Sequence, residues 1–293
     1  MSGSIRESVS PEPAARAWHR LLASPSARIG AALVGLFLGV ALSADWIAPY
    51  GSGQRFSAEA MFQPPSARNW LGTDSLGKDV LSRVMFGSRL SLLAGLISIV
   101  LAVAVGSPLG AVAGYFGGRI DALLMRGIDV ALAFPSVLIA LLVAAAFRPS
   151  WASVVIAVGL INVPVFARQV RATVLTVAQL EFIQASRAFG AGPWRILTRE
   201  ILPALVSPVV VLASLSLGTA ILEVAGLSFL GIGGDPTIAE WGAMLAQAKN
   251  SWSANPWLAL APGAAISLTV LGFNLLGDGL RDALDPRSER ISG

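Results

Sequence analysis

Cysteine is absent from the 293 residues, and histidine occurs once, as His19. Without cysteine there is no disulfide framework, thiolate nucleophile, lipoprotein anchor or thiolate zinc cluster. The lone imidazole lies in a polar N-terminal stretch, so no histidine general base stands among the apolar segments. Charge is scarce as well: 13% of residues are Asp, Glu, Lys or Arg, against about 25% in an average soluble domain. What is present instead is apolar, 55% of the chain, with a mean hydropathy of +0.70. So few polar groups cannot coat a globule of this length, which excludes a soluble enzyme and leaves a membrane chain. A net charge of +4 raises the question of nucleic acid. The basic residues are scattered between apolar stretches, however, as in cytoplasmic membrane loops, and no nucleic-acid partner is expected.

Residues 1–28 are polar, carry Pro11, Pro13 and Pro25, and read as a cytoplasmic lead without a signal-peptide cleavage site. A bilayer-crossing helix takes about 20 mostly apolar residues. Six segments qualify: Ile29–Ala48, Leu90–Phe116, Ile120–Phe147, Trp151–Val174, Ile201–Leu230 and Trp257–Gly277. The expected division is therefore the lead, a first transmembrane helix over 29–48, an extracytoplasmic loop over 49–89, a five-helix core over 90–280 containing a cytoplasmic loop over 175–203, and a cytoplasmic tail over 281–293. The fold class is all-α, a polytopic membrane protein with six transmembrane helices. Pro108, Pro135, Pro164 and Pro208 each remove a backbone donor, so kinked helices in a bundle are expected. With both termini inside, fourteen Lys and Arg residues fall on the inner side and seven on the outer. Five outer charges, between Arg55 and Arg89, run against that bias. Gly106, Gly110, Gly114 and Gly118 recur every four residues, a ladder on which two helix backbones can approach closely.

One motif invites a nucleotide reading and fails it. Gly72-Thr-Asp-Ser-Leu-Gly77-Lys78 matches the start of a phosphate-binding loop, which then needs Ser or Thr for magnesium, and here Asp79 follows. Asp74 and Asp79 repel phosphate, so the chain itself is not expected to hydrolyse ATP. The longest internal polar segment is 168–200, within which Phe182, Ala185, Ser186 and Phe189 give a short helix one mostly apolar face. Gly190 suits the helix stop, Pro193 a new start, and Pro203 punctuates the next span. Such a helix either lies on lipid headgroups or fills a partner's groove. Within the spans, Arg126 and Asp129 stand three apart and are expected to pair. Asn162, Gln169, Glu223 and Asn274 are polar at or near membrane depth, where charged groups face protein or water. Asn162, Gln169 and Glu223 are candidates for a polar translocation path; interhelical hydrogen bonding is the other reading. Trp241, Trp252 and Trp257 are expected at the outer interface.

The segment from Glu181-Phe-Ile-Gln-Ala-Ser-Arg-Ala-Phe-Gly190 to Pro203 resembles the EAA loop of ABC-importer permeases. Leu71 to Arg83, Gly226 to Gly231, Glu240 to Leu245 and Phe273 to Arg287 resemble further signatures of the C-type permease of dipeptide, oligopeptide and nickel importers, in order across about 28–287. The resemblance implies a type I importer permease in which Glu181, Gln184, Ala185, Ser186, Arg187, Gly190 and Pro203 form the ATPase-coupling segment. Gln184 stands where the family has the first glutamate of its triplet, which removes a charge that Glu181, one turn earlier, would supply. It also implies the partners: a second homologous permease, two cytoplasmic ATPases that bind ATP and magnesium, an extracytoplasmic solute-binding protein and the lipid of the inner membrane. No cofactor, metal or catalytic residue is expected in this chain. The competing reading is a self-contained secondary transporter, which needs a proton or sodium site, and Glu223 is nearly the only carboxylate deep enough. Uptake by this chain alone under an ion gradient would establish it.

Overall fold

The computed structural model describes residues 24–53, 58–233, 235, 237–249, 251 and 253–284. The lead over 1–23 with His19, and Arg55, Trp252, Arg287 and Arg290, lie outside the described residues. Among the described residues there are nine α-helices, α1 Pro25–Ile47, α2 Val80–Phe116, α3 Gly118–Ala133, α4 Ser136–Phe147, α5 Trp151–Val177, α6 Glu181–Ala188, α7 Pro193–Phe229, α8 Trp241–Ala248 and α9 Trp257–Leu284, and one short 3-10 turn, Ala58–Ala60. Five of them are long and apolar enough to cross a membrane, and α3 with α4 makes a sixth crossing if counted as one bent span.

Most helices run past the limits that hydropathy alone sets. α1 begins at Pro25, capped by Ser24, whose hydroxyl accepts from Ala27 N–H. α2 begins ten residues before Leu90 because Asp79 caps it, accepting from Ser82 N–H and hydroxyl, both at 2.8 Å. Arg83 and Arg89 hide that first stretch from an apolar count. α7 starts at Pro193 and passes through a wide π turn at Leu197–Ile201 just before Pro203. A proline lacks the N–H of a regular turn and crowds the carbonyl four residues back, and a wider turn accommodates it.

The third crossing differs from the single span expected over Ile120–Phe147. It breaks at Phe134–Pro135, and its two halves meet at 93°. Phe134 is extended, the conformation a following proline favours, and Pro135 has no donor to continue the ladder.

The bundle is organised on α2 and α5. Gly106, Gly110 and Gly114 face the carbonyls of Val163, Ala167 and Arg171, and Ser98 Oγ donates to Val155 O at 2.9 Å. Every pair is 57 residues apart, so the two helices run parallel and in register. A Cβ built on Gly106 would lie 2.6 Å from Val163 O, which leaves no room for any side chain. Gly118, the fourth expected rung, is not on this seam: its φ is +54° and nothing lies within 4 Å of a Cβ there. It opens α3 after Gly117. Parallel packing also means the chain between Phe116 and Trp151 must travel back about 33 Å, some 22 residues of α2 at 1.5 Å each. The bent α3–α4 pair makes that return.

Three apolar clusters fill the bundle. One joins α2, α4, α5 and α7 around Ile99, Val154, Phe166 and Val224. A second, at what we call the α6 end, joins Ala111, Val174, Ile183, Ile196 and Leu205. A third, at the α8 end, packs Val80, Trp241, Met244, Leu258 and Ile266. Gly110→Ala forces a methyl group into the Ala167 backbone and is expected to cost about 1–3 kcal/mol by overpacking. Gly127→Ala, in open space on α3, is expected to be neutral or to stabilise by up to about 1 kcal/mol. Thermal unfolding midpoints in detergent check the contrast; equal shifts would refute the seam.

Candidate functional site: a coupling surface, a polar pair and a sealed loop

At the α6 end, α5 stops at Val177 and a tight turn hands the chain to α6. Leu180 precedes the helix without a side-chain cap, and Glu181 in the first turn complements the partial positive charge there. The exit is a Schellman motif. Ala191 N–H donates to Ser186 O and Gly190 N–H to Arg187 O, with Gly190 at φ +81°, the left-handed conformation that glycine adopts without strain. One side chain of α6 is buried in the bundle: Ile183, fully covered against Val174, Val177 and Ile196. Gln184, Ala185 and Arg187 are exposed and Ser186 is half-buried. The face traced from Phe182 to Phe189 therefore turns away from the bundle. Phe182 is 52% exposed, Phe189 91% and, on the next helix, Trp194 62%. Arg187 sits over the Tyr115 ring at 5.3 Å, and Phe116 packs edge-on against Trp194 at 5.6 Å, so the stretch from α6 to the start of α7 is braced on the last turn of α2. Pro203 is exposed just beyond the π turn. The Ile183 anchor escaped the sequence reading, because it lies one position off the stripe that periodicity picks out.

Two ion pairs join α5 to α3 near the same end. Arg171 grips both oxygens of Asp121 at 2.5 Å, and Arg168 meets Asp129 at 2.5 Å. The expected Arg126–Asp129 pair is thus replaced by one between helices. The Arg168 pair is exposed on both sides and contributes little, whereas the bidentate Arg171 pair is partly buried. Ile128 is the one buried residue of α3, and the Arg171–Asp121 pair is the stronger of its two ionic ties to α5.

Higher in the bundle, two of the three translocation-path candidates meet. Asn162 Nδ2 donates to Glu223 Oε2 at 2.8 Å and to Val158 O at 2.9 Å. Glu223 lines a cavity of about 320 Å³ between α4, α5 and α7. Gln169 is elsewhere: it is exposed in a second cavity, about 420 Å³, with Ser207, Pro208 and Arg281.

At the α8 end the segment that mimics a phosphate loop is closed on itself. Asp74 Oδ1 accepts from Leu76 N–H at 2.8 Å and Lys78 N–H at 2.9 Å, occupying backbone donors a phosphate would need, and Asp74 also pairs with buried Arg83. Arg83 reaches on to Gln247 at 2.7 Å and Ile238 O at 3.1 Å, and Arg89 pairs with Asp45 at 2.8 Å. Two of the cations that ran against the charge bias are therefore neutralised by carboxylates. Glu240 caps α8, accepting from Gly242 N–H and Ala243 N–H at 2.8 Å each, and is 1% exposed. Burial pushes its carboxyl above the ordinary glutamate range, and the two N–H donors only partly oppose that. The folded chain holds this proton more tightly than the unfolded chain. Stability from Glu240 is thus full below the unfolded value and declines as pH rises through the raised one. Melting curves taken across that interval should fall in the native chain and flatten in Glu240→Gln; parallel curves would contradict the assignment.

The comparisons with known proteins agree on one family. The family described as "Binding-protein-dependent transport system inner membrane component" matches residues 106–290, and the "N-terminal TM domain of oligopeptide transport permease C" matches 12–65. The glutathione transport system permease protein GsiD of Pectobacterium atrosepticum is 43% identical over 283 residues, covering 97% of this chain and 94% of that protein. GsiD of Escherichia coli is 44% identical over 270 residues, covering 92% and 89%. Among solved structures, the inward-facing MetNI methionine ABC transporter shares the fold, with a TM-score of 0.58 at 16% identity over 69% of this chain and 97% of that one.

Proposed function

The chain belongs to the binding-protein-dependent transport system inner membrane components, and from that membership we propose that it carries glutathione or short peptides inward as one of two membrane subunits of an ATP-driven importer. It is a multi-pass permease subunit of an ABC importer of the dipeptide and oligopeptide class, and it is not itself catalytic. The glutathione and peptide reading is supported by the curated relatives, which are glutathione permeases, and by the oligopeptide-permease match at the N-terminus.

The proposed assembly pairs the chain with a second homologous permease, two cytoplasmic ATPases that hold ATP and magnesium, and an extracytoplasmic binding protein. Both termini are placed in the cytoplasm, with α6 on the cytoplasmic side. The observation that carries the mechanism is the outward apolar face of α6. An exposed Phe182–Phe189 face on a helix held by one buried isoleucine suits a partner's groove. Glu181, Gln184, Ala185, Ser186, Arg187 and Gly190 form the contact, and Pro203 marks where motion enters α7. ATPase closure moves this segment, and α5 and α7 pass the displacement to the path that Asn162, Gln169 and Glu223 border. Glu181 supplies the charge that Gln184 lacks.

The test is reconstitution of this permease with its partner chains in liposomes, following glutathione and trialanine uptake and binding-protein-stimulated ATP hydrolysis. Phe182→Ala with Phe189→Ala is expected to lower stimulated hydrolysis about tenfold or more, the loss typical of interface anchors, with an unchanged unfolding midpoint. Glu181→Ala is expected to weaken it in the same direction. Full hydrolysis in the double variant, or uptake by this chain alone under an ion gradient, would overturn the reading.

A further inference from the structure

We propose that the cavity at the break of the third span holds the protonated amino group of the travelling solute, with the Glu223 carboxylate as its counter-charge. This deepens the importer reading and rests on it. The cavity, about 320 Å³, is bordered by Ser136 and Val137 in the first turn of α4, by Ile161 of α5 and by Glu223, Leu227 and Phe229 of α7. Its lining contains no Lys, Arg or His. Lys249 Nζ lies over the ring of Phe229 at 5.8 Å, and Glu223 is a carboxylate among mostly apolar side chains with no cation in the cavity lining.

The bonding around it leaves a defined position for one. Oε2 accepts from Asn162, whose amide is fixed on its own helix by the bond to Val158 O. Oε1 has no hydrogen-bond partner among the described residues, and Glu223 lines the cavity. A single amide donor orients a carboxylate without neutralising it, and an ionised carboxylate in apolar surroundings is costly until a positive group arrives. The span that covers the site is the one that bends by 93° at Phe134–Pro135. Irregular backbone within a span is tolerated only where it is buried in protein or lines a cavity, and the break brings the first turn of α4, Ser136 and Val137, to this one. Glu223 lies six residues from Phe229, about 9 Å along α7 from the end that leads toward α8. A solute arriving from that side meets the carboxylate before the cavity that contains Gln169 and Arg281. The chemistry selected is a primary ammonium, which the N-terminus of a peptide and the γ-glutamyl amine of glutathione both present.

The experiment uses the complete importer in liposomes, with glutathione and trialanine as probes, and compares Glu223→Gln with Glu223→Asp. Glutamine keeps the shape and the acceptor for Asn162 but drops the charge; aspartate keeps the charge on a shorter arm. An ammonium contact predicts that Glu223→Gln lowers uptake at limiting solute about tenfold to a hundredfold, the worth of one charged hydrogen bond. Stimulated ATP hydrolysis should persist, and Glu223→Asp should retain more uptake than Glu223→Gln. Glutamine equal to or better than aspartate would overturn the proposal and assign the pair to packing or to a protonated carboxyl. Loss of assembly and of ATP hydrolysis in both variants would overturn it too, by making the role structural. A native importer that hydrolyses ATP on stimulation yet takes up neither probe would remove the solute reading, and this proposal with it.

Discussion

The rest of the architecture depends on the close, glycine-lined contact between α2 and α5. In lipid there is no water to drive helices together, so association relies on close packing. Three glycines of α2 let the α5 backbone approach at Val163, Ala167 and Arg171, and the fixed 57-residue offset sets their register. From that register follows the position of everything α5 carries: Asn162 toward Glu223, Arg168 and Arg171 toward α3, and Val174 and Val177 under the anchor of α6. The same alignment dictates that the third crossing return the full length of the bundle, although its sequence breaks at Phe134–Pro135.

Scarce charge is placed with similar economy. At the α8 end, Asp74 takes Arg83, Asp45 takes Arg89, and Glu240 is spread over two backbone N–H groups. This end is sealed by polar bonds among residues from 62 to 91 and from 238 to 258, so the long loop before α2 is part of the packed structure. At the α6 end, ion pairs reach outward to α3 and the apolar side chains are left uncovered. One end is closed on itself and the other is open to a partner.

The helices were legible from apolar runs, because a span of this length has few alternatives, and so was the short helix α6, because Gly190 marks its stop and Pro193 the next start. Asn162 and Glu223 were legible as polar exceptions, but not as partners, since 61 residues separate them and only the bundle brings them together. The first turns of α2 were missed because their arginines resemble loop composition until Asp74 and Asp45 are seen opposite them. The Arg126–Asp129 expectation failed for a related reason: spacing along one helix predicts neighbours, and Asp129 found Arg168 on another helix. Gly118 belonged to the ladder by spacing alone, yet the helix ends before it.

Ile183 has a consequence for how such a subunit can change over generations. Because Ile183 is the one buried side chain of α6 and Arg187 holds it to Tyr115, while Glu181, Phe182, Gln184 and Ala185 are exposed, substitutions at those four exposed positions leave the membrane fold intact. The exposed surface of α6 can therefore vary while the bundle stays under its own separate selection. A permease built this way can change what it presents at that end without its membrane spans being rebuilt.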